Sequence, residues 1–266
     1  VKDTNKLVRW IAAFVAIVVV LGCGGGGGGT GGSGSTSGGL GGGAKPAAGQ
    51  YLEFFRSGSL VDPLNLNVGD IVTVQYVNYD QLGVRTALAV TNWGLTGSGA
   101  GSAVTLTNTG VMQVISRPTG FLNLTATATV IGQPKTLNQD VFVSPATNTR
   151  VSGRLLANTS NVAVGGVQFE FVDNGGNVVG AAITGYDGRF TGVVGNNATR
   201  LRLKPQTVSA LYFAAIKYQN VDYAVTGNAC LLTLPGLVAG GSVSFPSNIF
   251  LPRQQDGPPP PPSGCN

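Results

Sequence analysis

With 266 residues, of which only 10% are charged and 42 are glycine, the chain is neither a coiled coil nor a disordered polymer held open by charge. The net charge of +5 belongs in part to the N-terminal segment: without Lys2, Asp3, Lys6 and Arg9 there remain 13 basic and 10 acidic residues, an excess too small to argue for nucleic acid. The absence of histidine removes Ser-His-Asp triads, Cys-His pairs and the common zinc sets together.

Residues 10–21 carry no charge and lead into Gly22 and Cys23, after a start that is basic at Lys2, Lys6 and Arg9. An uncharged run of about 12 residues is shorter than the roughly 20 that a spanning helix needs, and the polyglycine that follows cannot cover it as a core would. A basic start, an apolar centre and a small residue before a cut are the parts of an export signal, here over residues 1–22. Val20-Leu21-Gly22-Cys23 resembles the lipobox of bacterial lipoprotein precursors. The resemblance implies that the Cys23 sulfur takes a diacylglyceryl group, that a peptidase cuts before it, and that the new amine is acylated. The alternative is an uncleaved anchor with an incidental cysteine. Both readings place the rest of the chain outside the cytoplasm, tied to a membrane, in the periplasm or at the cell surface.

Residues 23–49 are the lipidated cysteine and a linker made almost wholly of Gly, Ser, Thr and Ala, which cannot bury enough apolar area to fold. Such a coil has an end-to-end distance of roughly 28 Å and is expected to hold the folded part off the membrane. It is no phosphate loop, since it lacks the flanking strand and helix and the lysine at fixed spacing.

Beyond the linker, β-branched runs bounded by Gly, Asn and Pro recur about every ten residues: 71–77, 103–107, 111–115 and 122–130. In the last of these Leu122, Leu124, Ala126, Ala128 and Val130 face one way and Asn123, Thr125, Thr127 and Thr129 the other, so one face is core and one is wet. The spacing predicts an antiparallel sandwich over residues 50–146. The stretch 67–74, the pair Asn92-Trp93, Gly110-Val111, Pro118-Thr-Gly120 and the Thr-Ala run resemble bacterial Ig-like domains. Trp93 reads as a core residue of such a sandwich, with a sugar-stacking platform as the alternative.

Residues 147–252 repeat the pattern. Val167, Phe169 and Phe171 point inward while Gln168 and Glu170 point out, and Asp173-Asn-Gly-Gly and Tyr186-Asp-Gly read as turns. The succession from Val151 to Lys204 resembles the carboxypeptidase regulatory-like domain, a transthyretin-like β-sandwich. That resemblance implies that Asp187-Gly188-Arg189-Phe190 closes a turn and starts a strand whose Phe enters the core. Residues 211–225 and 230–234 read as further strands, and 253–266 as a Pro-rich tail. The fold class expected is all-β: two tandem antiparallel sandwiches behind a signal segment and a Gly-rich linker.

Candidate site residues are few. Arg200, Arg202 and Lys204 alternate with Leu201 and Leu203, placing three cations on one face of one strand. Such a row could meet an acidic polymer or could be a solvated face whose like charges discourage edge pairing. Tyr76 and Tyr79 offer a second route to sugar contacts. Asp173 and Asp187 are too few for a calcium loop and fit turns. With Cys23 acylated, Cys230 and Cys265 remain as one possible disulfide in an oxidising compartment, or as two thiols that never meet. No catalytic residue, metal or cofactor is expected, and the chain reads as a non-catalytic tethered lipoprotein acting as a structural, display or binding module. Recognition of carbohydrate or another envelope polymer is the competing class, and an accessory subunit of an envelope enzyme the third. The partners are then the membrane and envelope polysaccharide or protein, not nucleic acid.

Overall fold

The computed structural model describes residues 48–147 and 149–263. The export signal, Cys23, the glycine-rich stretch before residue 48 and Cys265 lie outside the described residues.

Among the described residues nine strands precede residue 142: β1 (Gly49–Arg56), β2 (Ser59–Leu60), β3 (Ile71–Tyr79), β4 (Arg85–Leu88), β5 (Val90–Thr96), β6 (Val104–Leu106), β7 (Val111–Val114), β8 (Leu122–Val130) and β9 (Gln133–Val141). One sheet runs β2-β1-β3-β7-β6, with β4 also on β3, and the other runs β5-β8-β9. Alternation decides which side of each strand is buried. On β8 Leu122, Leu124, Ala126 and Ala128 lie in the core, while Val130 at the strand's end is only half-buried. Facing them, β1 contributes Leu52 and Phe54 and β3 contributes Val72, Val74 and Tyr76. Trp93 on β5, paired in register with Ala126, packs on the edge of this core. Its ring needs Gly110: a Cβ there would stand 2.6 Å from the indole and 2.9 Å from the Val74 carbonyl oxygen, at a φ of +78°. Trp93 is thus a half-buried packing residue.

Ten further strands follow: β10 (Arg150–Ala157), β11 (Gln168–Val172), β12 (Val178–Ile183), β13 (Arg189–Val193), β14 (Arg200–Leu203), β15 (Ile216–Tyr218), β16 (Val221–Tyr223), β17 (Leu232–Thr233), β18 (Ser242–Ser244) and β19 (Ile249–Leu251). They form the sheets β13-β10-β19-β15-β16, with β18 also on β10, and β12-β11-β14-β17. The antiparallel expectation gives way at β10, which runs parallel to β18 and β19. The stretch 211–225, expected as strand, holds only the short β15 and β16. Between the sheets Phe190 is 3% exposed, with ring centroids 4.7 Å from Phe169 and 6.3 Å from Phe245. Gly153 lets it in, since a Cβ there would lie 2.7 Å from the Phe190 ring.

The two cores are separate, and a third, smaller cluster joins them. Leu64 and Phe142 from the first sandwich are buried with Ala181 and Ile183 of β12, and Phe121 and Val178 pack around them. Because Ala181 and Ile183 pair with Glu170 and Gln168, they belong to the outer face of the second sandwich's sheet. The end of one sandwich therefore seats on the side of the next. Polar links ring this contact. Asn65 Oδ1 accepts from Val193 N at 3.0 Å, Thr147 Oγ1 donates to Val194 O at 2.6 Å, and Gln168 Nε2 donates to Asp140 Oδ2 at 3.1 Å.

The loop that carries Leu64 is held by Asp62, whose carboxylate accepts from Leu64 N at 2.9 Å and from Asn65 Nδ2 at 2.6 Å. Burial raises Asp62 from the usual 3.8 to about 6, against the opposing pull of those two hydrogen bonds. A carboxyl whose folded pKa is raised contributes stability that is present in full below its unfolded value and is lost as pH climbs through its folded value. Lowering the pH from about 7 to about 5 should therefore raise the melting temperature by a few degrees. Asp62→Asn should flatten that rise in a thermal melt series, and an unaltered profile in the variant would contradict the assignment.

Candidate functional site

The three cations singled out in the sequence do not form a free row. β14 is an inner strand between β11 and β17, and its register sets Arg202 opposite Glu170, where Arg202 Nε donates to Glu170 Oε2 at 2.6 Å. Arg200 donates through Nη1 to the Asn228 carbonyl at 2.8 Å. Lys204, just past the strand, forms an ion pair with Asp140 of β9 and stands 5.7 Å above the Phe121 ring. The acidic partner of Lys204 is thus the neighbouring sandwich. Each cation has a partner within the chain, and on an inner strand the row guards no sheet edge.

The tyrosines part company. Tyr76 is buried in the first core, where its hydroxyl finds no hydrogen-bond partner among the described residues and burial raises its pKa. The alternation Val72, Val74, Tyr76 carried that placement in the sequence. Tyr79, of opposite parity, lies on the outer face of β3, and its hydroxyl donates to Glu53 Oε1 at 2.6 Å. The other Glu53 oxygen accepts from Arg85 Nε at 2.8 Å, and the Arg85 guanidinium also reaches Gln75 and lies 5.7 Å over the Phe55 ring. Burial first, and the adjacent Glu53 second, push Tyr79 up to about 12.

These side chains line a cleft of about 810 Å³ on the outer face of β1, β3 and β4, with Leu60 and Ile71 also on its walls. Glu53 is 4% exposed, a carboxylate with both oxygens already engaged, and so is poorly placed to take a proton from a substrate. A smaller cavity of about 360 Å³ opens between β5 and β6, where Trp93 meets Asn92, Leu106 and Asn108. It offers one aromatic surface among amide and hydroxyl groups.

The remaining candidates resolve into local structure. Asp173 accepts from Asn177 N at 2.9 Å and from the Asn177 amide, and these hydrogen bonds hold its carboxyl below the usual range. Asp187 Oδ1 accepts from Arg189 N at 3.0 Å. Among the described residues no group of three or more His, Cys, Asp or Glu side chains is placed to hold a metal ion, and no helix is long and apolar enough to cross a membrane. Cys230 is disulfide-bonded. The tail returns toward it: Ser263 N donates to the Asp222 carbonyl at 2.8 Å, and the Cys230 carbonyl accepts from Ala224 N at 2.9 Å.

The Glu53 cluster predicts a specific cost. Arg85→Ala would strand a buried carboxylate on the Tyr79 hydroxyl alone, losing about 2 kcal/mol of unfolding free energy, below the full penalty of a buried pair because Arg85 is partly exposed. In urea titrations, Arg85→Ala/Glu53→Gln should recover part of that loss. A double variant no more stable than the single would show the charge is not what the arginine serves.

No protein-family model matches the chain, and no curated protein matches it. Among solved structures it is similar to the T6 backbone pilin of serotype M6 Streptococcus pyogenes, at 9% identity over 78% of this chain and 70% of that one, with a TM-score of 0.27. It is also similar to BcpA, the major pilin subunit of Bacillus cereus, at 10% identity over 76% of this chain and 70% of that one, with a TM-score of 0.23. Likeness at such scores carries no argument about what this chain does.

Proposed function

We propose that the chain is a non-catalytic, membrane-tethered module of the bacterial envelope whose two sandwiches act as one stiff unit, presenting their surfaces at a distance from the lipid. The observation that carries this reading is the seating of Leu64 and Phe142 on Ala181 and Ile183, ringed by Asn65, Gln168 and the Asp140–Lys204 pair. Tandem domains on an open linker reorient freely by default, and a buried apolar contact with cross-bonds on several sides opposes that. Of the three β14 cations, Lys204 serves this contact through Asp140. In this reading Cys23 carries the lipid, the Gly-rich stretch is the stalk, and Cys230 pairs with Cys265 to fix the tail to the second sandwich.

Limited proteolysis tests the stiffness. The two sandwiches should survive as one fragment, because most of residues 142–147 and residue 149 of the connection are buried or hydrogen-bonded. Early release of single sandwiches would contradict it. The tether is tested apart from this: Cys23→Ser should abolish incorporation of labelled fatty acid and leave the precursor uncut, since stable anchoring depends on acyl chains carried by that residue. Equal labelling of variant and wild type would remove the lipid anchor from the proposal while leaving the joint untouched.

A further inference from the structure

The β14 cations are committed inside the molecule, but a second set of arginines, scattered in sequence, meets on the outer face of the other sheet of the same sandwich. The pairing of β10 with β13 sets Arg154 opposite Arg189, Ser152 opposite Thr191 and Arg150 opposite Val193. The parallel pairing of β10 with β18 sets Arg150 beside Ser242 and Ser152 beside Ser244. Residues opposed in this way share a face. Their neighbours Val151, Phe190 and Phe245 point into the core, so all three guanidiniums and the hydroxyls between them lie on the outside. Arg150, Arg154 and Arg189 are exposed.

Like charges directly opposite one another across two strands are destabilising, and one carboxylate does little to relieve it. Asp187 lies 3.4 Å from Arg189, with both side chains more than half exposed, and an exposed pair of this kind is weak. Arg154 is steered instead by a hydrogen bond from Nε to the Asp187 carbonyl at 3.0 Å. Arg150 has no ion-pair partner among the described residues. Alongside runs a groove of about 530 Å³, whose walls include Arg154, Arg189, Ser152, Thr191, Ser244 and Asn248. Three cations against one anion, on a concave strip of hydroxyl and amide groups, form a surface that lacks its counter-charge.

We propose that this face of β13, β10 and β18 binds an anionic polysaccharide chain. Arg150 and Arg154 are four residues apart on one strand, about 13 Å along it, so a single small anion cannot meet both and an extended chain of charges can. The groove's polar lining suits a hydroxyl-rich polymer. It shows no exposed aromatic ring on which a nucleobase could stack, and its exposed apolar surface, at Pro246, is too slight to enter a lipid headgroup layer.

The test uses the full chain in detergent and four probes: polygalacturonate for carboxylate, phosphomannan for phosphate, dextran as the uncharged polymer, and glycerophosphoglycerol, the phosphatidylglycerol headgroup, as the lipid alternative. Wild type should bind one or both polyanions and not dextran, with affinity falling steeply as salt is raised through the physiological range. The relative affinity for the two polyanions identifies the anionic group. Arg150→Gln/Arg154→Gln/Arg189→Gln should weaken binding roughly ten-fold or more, while Arg200→Gln, outside the face, should leave it unchanged. Relief of like-charge opposition should leave the melting temperature of the triple variant at or above that of wild type. Arg150→Gln alone, away from the Asp187 turn, should weaken binding by a smaller factor and covers the case of a triple variant that folds poorly. Retention of polyanion by the triple variant at wild-type affinity, the absence of any polyanion binding by wild type, or binding to glycerophosphoglycerol alone would each overturn the proposal.

Discussion

Phe142 and Leu64, buried against Ala181 and Ile183, are the contact that makes two sandwiches into one body. Burying a large apolar side chain contributes about 1.5 to 3 kcal/mol, whereas an ion pair such as Lys204–Asp140, with side chains 30% and 13% exposed, sets its Coulombic gain against the desolvation of both groups. The apolar plug therefore supplies the adhesion, and the polar groups around it fix the angle at which the sandwiches meet. Asn65 does this most directly, since its side chain satisfies the Val193 amide on the second sandwich while its own amide is held by Asp62.

This joint explains where the charge of the chain goes. In a protein with few ionisable groups, Asp140 receives Lys204 and Gln168 together, Glu170 receives Arg202, and Glu53 receives Arg85 and Tyr79. Each of these carboxylates is largely withdrawn from solvent and already satisfied, an arrangement that orders side chains and leaves none poised for proton transfer. Three cations without such partners, Arg150, Arg154 and Arg189, meet on the far sheet of the second sandwich.

What could be read in the sequence was what depends on neighbours in the chain. The alternation of Leu122 to Ala128 and the inward Phe169, Phe171 and Phe190 follow from a period of two and from turn chemistry, and all are buried. β1 was harder to read, because Tyr51, Glu53 and Phe55 on its outer face are nearly as apolar or as buried as Leu52 and Phe54 within. The site was the least legible part. The alternation Arg-Leu-Arg-Leu-Lys at 200–204 says nothing of the partners of Arg202 and Lys204, which lie 32 and 64 residues away. Only the β11–β14 register and the seating of the first sandwich bring them there. The same holds in reverse for Arg154 and Arg189, which carry no local pattern and become neighbours through strand pairing alone.

The claim that the sandwiches are one mechanical unit is tested most directly by calorimetry of unfolding. If the plug couples them, the wild-type chain should unfold in a single cooperative transition. Ile183→Asp, which places a charge in the contact without touching either core, should split it into two, one for each sandwich. Two independent transitions in the wild type, unaffected by that substitution, would contradict the coupling.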